Sequence, residues 1–208
     1  LSPVITCGEG RLLYIGRVMG DANETRFCMY DTATEKIHSF GSYPAGDKEI
    51  AEYPVDDYSK LTAYQGDICL KPVGTKAVVI YFYAVGLDIL DLQCLEIETS
   101  VFYRYPQVEL NYIPALKANV VKRKMDGYRG FKDVWCSDDH IYILYTAKRF
   151  DEAYNTGRYI LKYDWEGNPL CVYQLSQDVS CIAIDTDETW IYAGISDDKN
   201  AQLIRYKI

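Results

Sequence analysis

The chain has 208 residues, a formal net charge of −8, 49% hydrophobic residues and 25% charged residues. This composition is typical of a globular domain and excludes a largely disordered chain. The longest apolar run, residues 77–85, is too short to cross a bilayer as a helix, and the acidic balance argues against a general nucleic-acid or anionic-membrane surface.

Short apolar segments separated by Gly, Asn, Asp and Pro turns predict four groups of β-strands. The expected strands are, in chain order, 4–7, 12–18, 27–31, 36–40, 67–71, 77–83, 87–92, 95–105, 133–136, 141–146, 159–164, 170–175, 181–185, 190–195 and 203–208. The groups define blades 1–41, 67–105, 130–175 and 180–208, joined by linkers 42–66 and 106–129. In the first linker, residues 56–64 predict a short helix with Asp or Ser as its N-cap.

An internal repeat identifies the architecture. Residues 30–40 (YDTATEKIHSF) align without a gap on residues 163–173 (YDWEGNPLCVY), and each copy contains a strand ending in Tyr-Asp, a polar turn and a second strand. Repeated all-β units of this size are typical of β-propellers. The sequence therefore predicts an all-β fold, a single β-propeller domain built of four-stranded antiparallel blades.

The last group has one expected strand fewer than the others. Propellers protect their sheet edges, often by letting one terminus complete the blade that the other terminus forms. The chain also starts at Leu1 with a strand-like segment, so we expect it to be a piece of a longer chain. About four blades would then be present of an expected six, with the missing strand supplied from upstream.

Several segments resemble a known family. The segments 64–66 (YQG), 71–76 (KPVGTK), 130–145 and 163–169 are similar to the TolB-like six-bladed β-propeller proteins of Bacteroidetes. The resemblance covers most of the chain and is strongest after Gly130. It implies an envelope-associated protein in the periplasm, at the outer membrane or on the cell surface. Such proteins are often lipoproteins, which would place a lipid anchor upstream of this chain. The resemblance implies no catalytic residue.

Two carboxylate clusters bear on metal binding. Asp185, Asp187 and Glu188 form one, and Asp138 and Asp139 the other. A calcium ion needs six to eight oxygen ligands, but both clusters fall in expected hairpin turns, where Asp hydrogen-bonds local backbone. We therefore favour a turn role and predict no cofactor, with calcium kept as an alternative.

The cysteines and histidines indicate packing rather than a metal site. Cys136 and His140 flank one turn, but a structural zinc ion needs four ligands. His38 aligns with Cys171 in the repeat, which favours a packing position for both. The cysteines are odd in number, form no CxxC pair and are expected to be mainly buried. They are Cys7, Cys28, Cys69, Cys94, Cys136, Cys171 and Cys181. No metal ligand and no catalytic residue is predicted.

Two segments are candidates for a binding surface. The loop 149–158 joins the second and third strands of its blade, and such loops emerge on one face of a propeller. A basic segment, 117–132, could meet a carboxylate or phosphate group, although a solvated loop is the alternative. The predicted binding residues are Phe150, Tyr154 and Arg158, taken to be exposed, and Lys122, Arg123 and Lys124.

The predicted function is a non-catalytic ligand-binding or protein-interaction module of the cell envelope that uses a propeller face. Its partner would be an unidentified protein or glycan, and no nucleic acid is expected. The alternative is a lactonase-like propeller hydrolase or lyase with carboxylates, and calcium, in the central channel.

Overall fold

A computed structural model describes residues 3–18, 25–48, 58–152, 156–196 and 201–208. Blade 1 contains β1 (Val4–Thr6), β2 (Arg11–Ile15), β3 (Thr25–Asp31) and β4 (Lys36–Ser42). The helix α1 (Tyr58–Ala63) precedes blade 2, whose strands are β5 (Gly66–Leu70), β6 (Lys76–Tyr81), β7 (Val85–Asp91) and β8 (Glu96–Arg104). A separate hairpin follows, β9 (Val108–Ile113) and β10 (Ala118–Arg123). Blade 3 contains β11 (Phe131–Cys136), β12 (His140–Tyr145), β13 (Gly157–Asp164) and β14 (Pro169–Val179). Blade 4 contains β15 (Cys181–Ile184), β16 (Trp190–Ser196) and β17 (Ala201–Lys207).

The prediction of an all-β fold made of four-stranded antiparallel blades is confirmed. In blades 1 to 3 four strands lie side by side in chain order, and blade 4 has three strands in the described residues. The total number of blades and the source of a further strand for blade 4 stay predictions. Residues 49–57, which hold the start of the expected helix, lie outside the described ranges.

In each of blades 1 to 3, the repeated turn between the third and fourth strands depends on one aspartate. Asp31 Oδ1 accepts the backbone N–H groups two and three residues further on, each at 2.9 Å. Asp91 Oδ1 does the same at 2.7 and 2.8 Å, and Asp164 Oδ1 accepts two N–H groups at 3.0 and 2.8 Å. Glu35 and Leu95 close two of these loops with a φ of 55° each. Blade 2 thus carries a third copy of the turn found in the sequence.

The cores lie between neighbouring blades. Successive side chains of a strand point to opposite faces, so a strand buried on both faces serves two cores. On β6, Ala77, Val79 and Tyr81 join the core with blade 1, whereas Val78 and Ile80 join the core with blade 3. Residues of β12 alternate in the same way between the cores with blades 2 and 4. The apolar runs of these strands are explained by burial on both faces.

A buried ion pair joins blades 1 and 2. The Nη1 atom of Arg26, on β3, lies 2.7 Å from Oδ2 of Asp88, on β7, and the two side chains are 1% and 0% exposed. Arg26 Nη1 also donates to Tyr81 Oη at 2.7 Å, and its Nε donates to the Ser42 carbonyl at 2.8 Å. Ser100 Oγ donates to the other oxygen of Asp88. The buried guanidinium and carboxylate are therefore both paired and hydrogen-bonded.

Two expectations about the chain are corrected. The linker 106–129 contains the hairpin β9–β10, which was not predicted because most of β9 is exposed and its apolar alternation is weak. The expected burial of the cysteines is wrong for three of the seven, and Cys7 and Cys69 are half-buried. Cys28 and Cys136 are buried, but Cys94, Cys171 and Cys181 are exposed. His38 is also exposed. Cys171 and His38 lie on the last strands of their sheets, and within the described ranges these strands have a neighbouring strand on one side only.

Candidate binding pocket between blades 2 and 3

A cavity of about 400 Å³ opens where the loops of blades 2 and 3 meet, and we call it the face pocket. In a sheet whose strands follow each other in antiparallel order, the start of the first strand and the connection from second to third strand share one edge. The lining residues come from these places and from the end of β10. They are Gln65, Phe82, Tyr83, Arg123, Arg129, Phe131, Lys132, Thr146 and Phe150.

Backbone hydrogen bonds tie the walls of the face pocket together. The N–H of Phe82 donates to the Gln65 carbonyl at 2.9 Å, and the N–H of Gly130 donates to the Phe82 carbonyl at 2.9 Å. The N–H of Phe150 donates to the Gly127 carbonyl, also at 2.9 Å. A Cβ atom at Gly130 would lie 2.1 Å from the carbonyl oxygen of Ala84, so only glycine permits this approach of blade 3 to blade 2. The pocket is therefore held by the scaffold itself.

Cations and aromatic rings alternate around the opening. The guanidinium carbon of Arg123 lies 5.9 Å from the ring centre of Tyr83 and 5.7 Å from that of Phe150, and its Nε donates weakly to Tyr83 Oη at 3.4 Å. Arg129 lies 4.9 Å from the Phe150 ring centre. The rings of Tyr83 and Phe150 are themselves 5.8 Å apart. A guanidinium over an aromatic ring is attracted by the ring and held in orientation.

The lining is positively charged. It contains three cations, Arg123, Arg129 and Lys132, and no Asp or Glu among its described members. The carboxylate next in the chain, Asp133, points to blade 4, because its Oδ2 accepts the N–H of Ile182 at 2.7 Å. Burial raises the pKa of Asp133 above its usual value. A local excess of positive charge in a chain of net charge −8 makes the pocket suited to an anionic group.

The comparison with protein families agrees with this architecture. The family described as TolB-like 6-blade propeller-like matches residues 17–187. The chain belongs to this family. Its fold is also similar to the WD40 domain of Pan2 from Neurospora crassa, with a TM-score of 0.51 over 98% of this chain and 10% sequence identity. At that identity the likeness shows the fold alone, and the TolB-like chain spans about half, 51%, of the length of the Pan2 chain.

No curated protein is significantly similar in sequence to this TolB-like chain. None of its described residues forms a helix that is long and apolar enough to cross a membrane.

The structure brings together two of the predicted binding residues, Arg123 and Phe150, from segments that the sequence keeps apart. The prediction that Phe150 is exposed is wrong: it is 8% exposed, because Tyr83 and the two arginines cover its ring. Arg158 is not in the pocket lining, and it donates to the Leu175 and Ser176 carbonyls at 3.2 and 3.0 Å. Lys122 and Lys124 are not in the described lining either, and Tyr154 lies outside the described residues.

The residues missed from the sequence lie at the same edge. They are polar or aromatic residues of the pocket lining that flank strands. Gln65 directly precedes the first strand of blade 2, and Phe82, Tyr83 and Thr146 follow the second strand of their blade. Stacking the predicted blades and collecting these positions would have found them. Arg129 and Lys132 were within the basic segment 117–132 but were not separated from its other cations.

The turn carboxylates are engaged in structural hydrogen bonds. Asp185 Oδ1 accepts the N–H groups of Thr189 and Trp190 at 2.7 and 2.8 Å, and Asp138 Oδ1 accepts the N–H of Val73, in blade 2, at 2.8 Å. Within the described ranges, no group of three or more His, Cys, Asp and Glu side chains is arranged to hold a metal ion.

Glu188 connects blade 4 to blade 3. Tyr142 Oη and Lys162 Nζ donate to its Oε2 at 2.7 and 3.0 Å, and His140 Nδ1 lies 2.7 Å from the same atom. Ser137 Oγ donates to Oε1. Burial alone would raise the pKa of Glu188, but these hydrogen bonds lower it to about 2. The carboxylate is therefore ionised and serves as an inter-blade contact.

Proposed function

We propose that this TolB-like propeller chain is a non-catalytic protein-interaction module that contacts its partner through the face pocket. The propeller-like fold is consistent with a protein-interaction module. The observation that carries the proposal is the preformed cavity of about 400 Å³ lined by cations and aromatic rings. Loops held on a rigid scaffold commonly carry binding, and Tyr, Phe and Arg are enriched where interfaces gain most of their affinity.

The second candidate function is a hydrolase or lyase that uses channel carboxylates with calcium. Asp138 and Asp185, one from each predicted carboxylate cluster, accept backbone N–H groups. A ligand that binds only the native state raises the unfolding temperature by mass action. A clear rise in that temperature on adding calcium, reversed by a chelator, would support the enzyme proposal over ours.

The location in the cell envelope, with a lipid anchor supplied upstream, is also part of the proposal and rests on family resemblance. Fractionation of cells that produce the native protein tests it. Recovery with the envelope fraction, and a lipid-sized mass increase on the full-length product, would support this location. A native product found only in the cytoplasm would overturn it.

The binding surface is tested by photo-crosslinking followed by affinity measurement. Phe82 lines the pocket and is 37% exposed, so replacing it with p-benzoylphenylalanine keeps an aromatic ring beside the opening. Val172, 60% exposed on β14 and not in the pocket lining, is the matched control position. A protein that crosslinks from Phe82 and not from Val172 is then purified, and its affinity is measured directly.

We expect Phe82→Ser to weaken that affinity at least about tenfold, and Val172→Ser to leave it unchanged, since residues at the centre of an interface dominate its affinity. Equal effects of the two substitutions, or crosslinks from Val172 alone, would reject this face as the contact surface.

A further inference from the structure

We infer that the face pocket binds a carboxylate group that is attached to a flat apolar group. This inference rests on the proposed function and names the chemistry that the partner presents. The shared chemistry is a carboxylate beside an aromatic ring, which a protein partner presents at its C-terminus or on an acidic side chain next to an aromatic residue.

The hydrogen-bond donors of Arg123 are the first observation that supports a carboxylate ligand. Its single hydrogen bond to the described residues is the weak one from Nε to Tyr83 Oη at 3.4 Å, so the terminal nitrogens Nη1 and Nη2 have no partner there. The Tyr83 and Phe150 rings contact the guanidinium group through cation–π attraction, which does not use these N–H groups. A guanidinium edge with two free N–H donors matches the two oxygens of a carboxylate.

Lys132 supplies the second cation. It lines the same cavity from the first strand of blade 3, and it makes no ion pair with any residue in the described ranges. Thr146 Oγ1 accepts the N–H of Lys148 at 3.1 Å, which leaves its hydroxyl proton to donate into the cavity. Arg123, Lys132 and Thr146 line the same cavity with donor groups suited to an anion, and the described lining contains no carboxylate that would compete with it.

The aromatic part of the ligand follows from the remaining wall. Phe82, Phe131 and Phe150 line the cavity, and Phe82 is 37% exposed without being part of a core. A volume of about 400 Å³ lies at the small end of the usual range for ligand pockets, on the order of 300–1,000 Å³. That space suits one aromatic side chain with its carboxylate and is small for an extended ligand.

The chain provides a matched control for Arg123. Lys122 precedes it on the same strand, is exposed and is not in the described lining. Lys122→Gln and Arg123→Gln each remove one positive charge, at neighbouring positions in the chain. Because successive side chains of a strand point to opposite faces, only Arg123→Gln removes its charge from the pocket. A difference between these two variants therefore reports on the pocket, and a common effect reports on net charge.

The experiment titrates the full chain with N-acetylphenylalanine, its amide, 3-phenylpropionate and phenyl phosphate, using NMR chemical-shift changes to obtain each Kd. We expect the two carboxylates to bind, the amide to bind at least about tenfold more weakly, and Arg123→Gln to weaken carboxylate binding about 10- to 100-fold, as the loss of charge-assisted hydrogen bonds predicts. Lys122→Gln should bind like the unsubstituted chain. Tighter binding of phenyl phosphate than of either carboxylate would overturn the assignment of the anion.

Two peptides distinguish the sources in a protein: one that ends in phenylalanine with a free carboxylate, and one with an internal Asp-Phe and an amidated end. The tighter of the two names the source in the partner, whereas a preference for 3-phenylpropionate over both would support the carboxylate chemistry and overturn the proposed protein partner. Equal binding of acid and amide, or equal losses in Arg123→Gln and Lys122→Gln, would overturn the inference.

The failure of the inference differs from the failure of the proposed function. If no carboxylate probe binds but Phe82→Ser still weakens the crosslinked partner, the surface is right and its chemistry is wrong. If neither effect is observed, both proposals are wrong.

Discussion

The buried Arg26–Asp88 pair gives the sharpest test of how this propeller is held together. Asp88→Asn keeps the size of the side chain and removes its charge, which leaves the guanidinium of Arg26, 1% exposed, without a counter-ion. Breaking a buried pair by removing one partner lowers stability by about 3–5 kcal/mol. Asp88 also accepts hydrogen bonds from Tyr81 and Ser100. We therefore expect the upper part of that range for the loss in free energy of unfolding.

Blade 2 offers a control with the same geometry and different burial. Lys76 Nζ lies 2.7 Å from Oε1 of Glu98, the distance found in the buried pair, but these side chains are 25% and 40% exposed. A surface pair contributes between 0 and about 1 kcal/mol, so Glu98→Gln should lower the free energy of unfolding by less than about 1 kcal/mol.

Urea unfolding, followed by tryptophan fluorescence, measures both variants and a third, Arg26→Met with Asp88→Leu. Because the unpaired charge is the main source of the loss, the double variant should be more stable than Asp88→Asn alone. A loss below about 1 kcal/mol for Asp88→Asn, or equal losses for Asp88→Asn and Glu98→Gln, would refute the argument that burial decides the effect.

Three further predictions use the same physical reasoning. The pKa of Glu188 is lowered to about 2 from the usual 4.5. The contribution of its carboxylate to the free energy of unfolding is therefore complete above about pH 4.5 and is lost as the pH falls towards 2. Glu188→Gln should lower the free energy of unfolding by about 1–2 kcal/mol at pH 7 and by little at pH 2. A pH-independent loss would contradict this. Gly130→Ala should lower the unfolding temperature clearly, with a loss of about 1–3 kcal/mol, because its Cβ would overlap the Ala84 carbonyl; an unchanged temperature would show that the blade junction relaxes. In native protein, iodoacetamide should modify Cys94, Cys171 and Cys181 before Cys28 and Cys136, as read by mass spectrometry. The Asp91 carboxylate raises the pKa of the Cys94 thiol, so Asp91→Asn should speed modification of Cys94 and leave Cys171 unaffected.

The fold could be predicted from the sequence wherever a strand is buried on both sides. β6 and β12 carry continuous apolar runs because each serves two cores, and Asp31 and Asp164 mark equivalent turns because their carboxylates accept local N–H groups. The hairpin β9–β10 escaped prediction because it has few buried side chains and its alternation carries little information.

The site could be predicted only in part, since it is formed by contacts between distant segments. Arg123 and Phe150 were chosen for separate reasons, as a cation in a basic segment and as an aromatic residue in a loop. Their contact, and that of Tyr83, depends on how blades 2 and 3 stack. A loop position suggests exposure, but Phe150 is covered by the very residues that complete the pocket.

The inter-blade contacts explain why ligand affinity and the free energy of unfolding should respond to different substitutions in this chain. Each junction between described blades combines an apolar core with a polar tie: Arg26 with Asp88 between blades 1 and 2, Asp138 with the Val73 N–H between blades 2 and 3, and Asp133 with the Ile182 N–H between blades 3 and 4. These ties lie outside the lining of the face pocket, so they do not require a bound ligand. A ligand that meets an ordered site loses little affinity to ordering it. Arg123→Gln should therefore reduce ligand affinity without changing the free energy of unfolding measurably, whereas Asp88→Asn should do the reverse as long as the chain stays folded.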